Sequence, residues 1–552
     1  MNTFSAINTL WVLVAAVMIF FMQAGFALLE SGFTRAKNAG SIMMKNIMDF
    51  CIAVPVFWII GFGIMYGSYQ PFLAAGVPFY VFLVFQTCFC GTSATIVSGA
   101  MAERTKFSAY CLCSVAMSAL IFPICGHWVW GHGWLYQLGF HDFAGGTIVH
   151  VTGGTAAFTG AAILGPRIGK YAEDGSSKAI KGHNLTIAAL GMFILWFGWF
   201  GFNGGSTLSL STQAMGERVG RIFFNTSLSA ALSACFTMLF TWLRYKKPDI
   251  SLTINGVVGG LVAVTAGCDV MTPVGAALTG AGAGLLLVVI NEFIDKKLHV
   301  DDPVGAVGVH AGCGFFGTVM VGFFSETNGL IYGGGIRQLL LQCAGAFCVM
   351  AFTSAVMAAV FKIINKTVGL RVPSEEEIEG LDKVEHGLSN AYEGFMSVNG
   401  ASGFMPGSFK ASFSDSRIIA GTQLETSKNP SVSASKITKV EIITKQSKFE
   451  ELKQELNKIG ITGITVSQVL GCGMQKGAGE YYRGSVVDMQ LLPKIKVEVV
   501  IARVPLLEVV NTAKRVLYTG HVGDGKLFIY TVDNVIKVRT GEEGYDAMQN
   551  DD

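Results

Sequence analysis

The chain has 552 residues, 51% of them apolar and only 14% charged, with 40 Lys and Arg against 38 Asp and Glu for a formal net charge of +2. Its mean hydropathy is +0.49. A soluble globular domain carries about a quarter of its residues as charges, so this composition excludes an ordinary soluble fold for most of the chain, and no nucleic-acid partner is expected.

Eleven apolar runs have spanning length: roughly 10–30, 44–66, 77–102, 107–130, 144–165, 184–204, 221–243, 251–268, 272–294, 303–324 and 338–364. Residues 1–9 contain no basic residue and no evident cleavage site, so the first run is expected to be a retained helix rather than a signal peptide. Basic residues gather in alternate loops: Arg35, Lys37 and Lys45; Arg104 and Lys106; Arg167, Lys170, Lys178 and Lys181; Arg244, Lys246 and Lys247; Lys296 and Lys297. The other loops offer only Arg218, Arg221 and Arg337. Because short basic loops stay in the cytoplasm, the N-terminus is expected outside and the C-terminus inside, in the cell (inner) membrane.

Within the runs one frame occurs twice. Asp142-Phe-Ala-Gly145-Gly-Thr-Ile-Val149-His150 returns 160 residues later as Asp302-Pro-Val-Gly305-Ala-Val-Gly-Val309-His310. An ionisable residue in a membrane span is costly and marks a functional site by default. A duplicated pair points further, to a transporter built from internal repeats with one central site. Eleven of the 12 cysteines lie in or beside the runs, where they read as small packing residues rather than as metal or disulfide chemistry. The 68 glycines fit close helix packing. His127, His132, His141 and His183 fall near run ends and are expected to be solvated.

The membrane part is thus residues 1–364. An acidic, polar stretch follows (365–395, with Glu375, Glu376, Glu377, Glu379, Asp382 and Glu385), which reads as a cytoplasmic tail. Residues 396–436, rich in Ser, Gly and Thr, read as a flexible linker, able to span on the order of 35 Å. Residues 437–552 then alternate strand and helix signals: 437–444 strand, 447–459 helix, 463–470 strand, a long loop from 471 to about 492, 494–502 strand, 505–517 helix and 526–532 strand. Two βαβ units in tandem are the ferredoxin-like plan.

Residues 1–395 resemble the ammonium transporter (Amt/Mep/Rh) family. The motifs that carry the likeness are the Asp142–His150 frame, Gly198-Trp-Phe-Gly-Phe-Asn203, Asp301-Asp-Pro303, Gly308-Val-His310 and Val368-Gly-Leu-Arg371-Val-Pro373. The resemblance implies an α-helical membrane fold of eleven helices with an inverted repeat, a homotrimer, and no enzyme activity. Each subunit would carry a His-lined pore for ammonium or ammonia. Ammonium has four N–H donors and no acceptor, so Trp130 suits it by cation–π attraction and Ser206 by an oxygen acceptor. Phe89 and Phe202 match the stacked phenyl rings below the recruitment site, and His150 and His310 line the pore. Asp142 is expected as a structural carboxylate holding backbone N–H groups.

Residues 437–552 resemble the P-II family of nitrogen-signalling proteins. Here the motifs are Gly471-Cys-Gly-Met-Gln475-Lys-Gly477, Glu480-Tyr-Tyr-Arg483-Gly484, Leu492-Pro-Lys494, Thr519-Gly-His-Val-Gly523-Asp-Gly-Lys526 and Lys537-Val-Arg539-Thr-Gly541. This likeness implies nucleotide binding (ATP or ADP, with Mg2+ as an accompanying ion) by Gly523, Asp524, Gly525, Lys526, Lys537 and Arg539. Gln475 and Lys494 match contacts to 2-oxoglutarate, and Arg483 matches the residue that blocks a channel mouth; no resident metal site is implied. Met474 and Lys537 stand where the family usually has Arg, and His521 where it has Lys, which leaves the choice between ATP and ADP open. Val487 replaces the tyrosine that some members modify. Two functions follow as expectations: ammonium transport gated by the fused domain, or an ammonium sensor (transceptor) with little flux.

Overall fold

In lipid every backbone polar group must be satisfied within its own segment, which leaves helices as the form for these apolar runs. The computed structural model describes residues 4–67, 75–388, 391, 437–445, 448–471, 480–482, 485–487, 492–520 and 524–548. Among these, ten helices are long and apolar enough to cross a membrane: α1 (Ala6–Phe33), α2 (Ala36–Tyr66), α3 (Phe79–Ala100), α4 (Phe107–Leu138), α5 (Gly146–Leu164), α6 (Leu185–Gly204), α7 (Gln213–Tyr245), α9 (Pro273–Lys296), α10 (Val307–Phe324) and α11 (Arg337–Thr367).

The remaining expected span is α8 (Ile250–Thr265), only 16 residues with 14 of them buried. At about 1.5 Å per residue it is roughly 24 Å long. Walled in by other helices, it need not match the bilayer thickness. Polar caps open several helices: Ser5 Oγ accepts from Asn8 N, Asn184 Oδ1 from Ile187 N and Asp249 Oδ1 from Leu252 N.

Helices α5 and α10, which carry the duplicated frame, pack on each other. Thr147 meets Thr318 (2.7 Å between hydroxyls), Gly314 packs beside Val151, and Gly154 beside Ala311. As the number rises on one helix it falls on the other, so the two run antiparallel, as an inverted repeat requires.

Beyond the spans, loop charges are buried in pairs. Arg167 bridges Asp301 (2.8 Å) and Glu103 (2.9 Å), and Arg35 also reaches Glu103. Burial alone would raise the Asp301 carboxyl, but Arg167 and Arg104 outweigh it and hold it well below the usual carboxylate range. The acidic stretch after α11 forms two short helices, α12 (Ser374–Glu379) and α13 (Leu381–His386). Asp382 accepts from Gly40 N (3.0 Å) and Ser41 N (2.8 Å) in α2, and Glu377 from Ile168 N (2.7 Å) after α5.

The C-terminal unit has its own core of Val440, Ile442, Leu452, Leu456, Ile495, Val497, Val499, Val509 and neighbours. It contains β1 (Thr438–Thr444), α14 (Phe449–Lys458), β2 (Thr465–Gly471), β5 (Leu492–Ile501), α15 (Leu506–Leu517) and β6 (Lys526–Thr531), and the short strands β3 (Glu480–Tyr482) and β4 (Ser485–Val487) fall between β2 and β5 in sequence. The main sheet is antiparallel in the order β2-β5-β1-β6, with Val440 opposite Val499 and Ile529. The period-2 burial of β1 puts alternate residues against the two helices. β3 and β4 pair separately.

Candidate functional site

The duplicated frame builds two helix starts. The Asp142 carboxylate accepts from the backbone N–H groups of Gly145 (3.0 Å), Thr147 (2.9 Å) and Ile148 (2.8 Å). Asp302 does the same for Val304 (3.2 Å), Gly305 (2.8 Å) and Val307 (2.8 Å). These donors have no partner within the helix, and a carboxylate also suits the positive end of the helix dipole. Burial pushes the Asp142 carboxyl above its usual range although the three N–H groups pull it down. Gly145 sits at φ +103, where a Cβ would meet Val149 at 2.6 Å and the Trp130 ring at 3.1 Å.

The Asp142 segment also places Trp130, whose indole N–H donates to Asp142 O at 2.9 Å. Trp130, Phe89, Ser206, Asp142, His141 and Tyr66 share the wall of a cavity of about 650 Å3. The Ser206 hydroxyl gives its proton to Phe202 O (2.8 Å), which leaves its oxygen lone pairs as acceptors. Phe89 meets Trp130 edge-on, with centroids 5.6 Å apart at 87°.

From this cavity a row of rings runs inward. Phe89 and Phe202 lie 4.3 Å apart, Phe202 and His150 5.4 Å, and His150 and His310 5.2 Å at 21°. The two Nδ1 atoms are 3.2 Å apart, hydrogen-bond distance, so one ring donates while the other accepts. His150 is fully buried and His310 nearly so. Trp199 stacks on His150 at 5.2 Å and is held by Thr265 Oγ1 at 3.0 Å.

Three of the four segments that bear these rings, Gly146–Val151, Phe200–Gly204 and Val307–Gly312, are wide π turns, while Phe89 lies in the regular helix α3. Such turns bulge side chains out of register and recur at functional sites. Sequence reading found the rings but not the π turns, nor the place of Trp199 beside His150 although Trp199 stands in the Gly198–Asn203 motif, nor Thr265, which carries no pattern of its own. Of the other histidines, His132 is exposed as expected, while the remaining three are bonded. His141 Nε2 bonds Asp269 Oδ1 (2.9 Å), His127 Nδ1 bonds Met65 O (2.9 Å), His183 Nδ1 bonds Thr34 O (2.9 Å), and His132 packs against Tyr136. Backbone carbonyls near helix ends hold His127 and His183, and a carboxylate holds His141, so these three rings are bonded rather than simply solvated.

The family model of the Ammonium Transporter Family matches residues 10–391. The chain belongs to the ammonium transporter family. The Ammonium transporter Amt2 of Archaeoglobus fulgidus is 42% identical over 423 residues, covering 71% of this chain and 89% of that protein. A solved structure named Sensor Amt Protein is 39% identical with a TM-score of 0.65, covering 69% of this chain and 98% of that one. Mep2 of Candida albicans is 26% identical with a TM-score of 0.62, covering 68% of this chain and 88% of its own.

This ammonium transporter carries a second family in the same chain: the model of Nitrogen regulatory protein P-II matches residues 437–542. In that domain Lys494 lies on β5 opposite Val469. Asp524 Oδ2 accepts from Thr519 N (2.7 Å) and Gly520 N (3.1 Å), so its carboxylate pins the start of its own loop. Gly525 has φ +120, and Lys526 begins β6. Lys537 Nζ lies 3.3 Å from Glu542, and Arg539 follows in the same turn. Gln475, Arg483 and Gly523, with Met474 and His521, lie outside the described residues. Among the described residues no three His, Cys, Asp or Glu side chains gather as metal ligands.

Proposed function

We propose that the membrane domain recruits ammonium in the cavity of Trp130, Phe89 and Ser206, strips one proton from it at the Phe89/Phe202 pair, and passes neutral ammonia along His150 and His310. A cation–π face and free oxygen lone pairs suit an ion that only donates hydrogen bonds. Beyond the phenyl pair the wall is apolar, where a bare cation costs roughly tens of kcal/mol by Born solvation while ammonia crosses cheaply. Potassium has no proton to give up and is refused. Two neutral imidazoles in contact accept and relay the released proton, because each ring has one nitrogen that accepts and one that donates.

The single observation that carries this reading is the buried His150–His310 contact, Nδ1 to Nδ1 at 3.2 Å, directly behind Phe202. Replacing both histidines by Leu tests it. Methylammonium uptake should fall to background in vesicles holding a normally assembled protein, and unchanged uptake refutes the pathway.

The transporter is further read as a homotrimer in the cell (inner) membrane, N-terminus outside, with its own P-II domain as gate. Tethering holds the gate at roughly millimolar local concentration. High 2-oxoglutarate with ATP or ADP, and Mg2+ beside the nucleotide, frees the pore; low 2-oxoglutarate lets the loop with Arg483 close it. Gly523, Asp524, Gly525, Lys526, Lys537 and Arg539 serve the nucleotide, and Gln475 and Lys494 the 2-oxoglutarate. Deleting residues 437–552 should raise uptake when 2-oxoglutarate is scarce.

One observation favours a second reading. The 39% likeness to a protein named Sensor Amt Protein supports an ammonium sensor (transceptor) that signals occupancy through the P-II domain with little flux. Flux counted per trimer separates the two.

A further inference from the structure

Behind His310, away from Phe202, lies a second and much smaller cavity of about 20 Å3. That volume holds one water-sized molecule, which is also the size of one ammonia. Its wall is apolar (Phe26, Ile96, Val304 among others) except for three side chains: His310, Asn255 and Glu30.

Glu30, on α1, is only 2% exposed. Its Oε2 accepts a hydrogen bond from Asn46 Nδ2 at 2.9 Å, the Ser98 hydroxyl is a second donor to the carboxyl, and among the described residues it forms no ion pair. The second hydrogen of the Asn46 amide goes to Ile42 O at 3.0 Å. An ionised carboxyl offers about four acceptor sites, so two donors leave about half of them open toward the cavity. Gly99 makes the room: a Cβ there would meet Val304 at 2.2 Å and Glu30 Oε1 at 3.3 Å. Asn255 gives an amide hydrogen to Val304 O at 2.9 Å. Lys45 and Asp49 of α2 are the charged groups within electrostatic reach. Lys45 Nζ points at Thr105 O (3.4 Å), while Asp49 is engaged by Tyr110 (2.7 Å) and Ser114 (2.6 Å).

We infer that this cavity is a second substrate site, in which Glu30 is the acid that turns ammonia back into ammonium. The inference rests on the transport pathway proposed above. Glu30 as the carboxylic acid gives its proton to ammonia held between it and His310; one O–H bond breaks and one N–H bond forms. The resulting ammonium has its N–H groups facing a carboxylate and the Asn255 side chain. Glu30 then recovers a proton from the imidazolium of the histidine pair, which returns to neutral imidazole. The proton removed at the outer cavity has followed its own ammonia, and one positive charge has crossed per molecule.

The test uses the full-length chain in proteoliposomes, with and without ATP and 2-oxoglutarate, and two readouts. One is the current evoked by an ammonium step; the other is alkalinisation of the lumen, which neutral ammonia produces and ammonium does not. The wild type should give current with little alkalinisation. Glu30→Gln keeps size and the Asn46 contact, and should lose at least tenfold in current while alkalinisation persists; Glu30→Asp should recover part of the current. A wild type without current, a Glu30→Gln protein with wild-type current, or one that loses both signals overturns the inference. Should Glu30→Gln fail to assemble, Asn46→Leu replaces it: a shifted pH dependence of the current supports the inference and an unshifted one overturns it. His150→Leu with His310→Leu retaining both signals would instead refute the parent pathway, whatever Glu30→Gln does.

Discussion

Gly154 is where the histidine contact is most sensitive to a single methyl group. A Cβ built there lies 2.2 Å from Ala311 N, beside His310, and 2.9 Å from Ala311 Cα. The obstacle is backbone and cannot swing aside. Ordinary contact begins at 3.4 Å, so α5 and α10 must part by about 1.2 Å. Taken up along the crossing, this opens the Nδ1–Nδ1 separation from 3.2 Å to as much as about 4.4 Å, beyond hydrogen-bond reach. Stability changes less than function. Overpacking costs about 1–3 kcal/mol, and the better helix propensity of Ala returns about 1 kcal/mol, leaving a net loss of about 0–2 kcal/mol. A misplacement of about 1 Å between reacting groups can lower a rate about a hundredfold. Gly154→Ala should therefore cut methylammonium uptake by about tenfold or more while the melting temperature in detergent falls by only a few degrees. Gly220→Ala on α7, where nothing lies within 4 Å, is the control and should transport normally. Wild-type uptake by Gly154→Ala would refute the claim that the imidazole contact limits transport.

Asp142→Asn should lower both stability and apparent affinity. The new amide NH2 faces backbone N–H donors, an orphaned buried N–H costs about 1–3 kcal/mol, and Trp130 loses a fixed anchor; an unchanged KM for methylammonium would contradict this. The depressed Asp301 carboxyl stabilises the fold at every pH above its ordinary value of 3.8 and loses that contribution as pH falls below it. Melting temperature should accordingly be flat between about pH 5 and 8 as far as this group is concerned. Asp301→Asn should lower it throughout that window, by an amount matching about 3–5 kcal/mol for a broken buried pair. Asp382→Ala removes the acceptor for Gly40 N and Ser41 N and should speed hydrogen exchange at the start of α2; unaltered protection there would show that the tail contact is dispensable.

The spans were legible because hydropathy over about 20 residues is a property of composition, not of contacts. The strands and helices of the P-II domain were legible within a few residues because each has one wet and one dry face. Other features depend on partners far away in sequence. The true length of α8 follows from its burial by neighbours. The π turns at the rings have no signature within a short window, and the hold of Asp382 on Gly40 spans 342 residues. Windowed reading cannot see any of these.

The duplicated frame stands between the two cases, since sequence gave its spacing and the fold gave its direction. In each copy the imidazole follows its capping aspartate by eight residues and sits in the opening turn of its helix. Because α5 and α10 run antiparallel, the two frames enter a hydrocarbon layer about 30 Å thick from opposite faces. The two helix starts meet there, with ring centroids 5.2 Å apart. Parallel copies with the same spacing would have stacked both imidazoles at one depth near one face, with no link across the midplane. The spacing and the inversion of the repeat together bring the two imidazoles into contact from oppositely directed helix starts, which neither copy of the frame does alone.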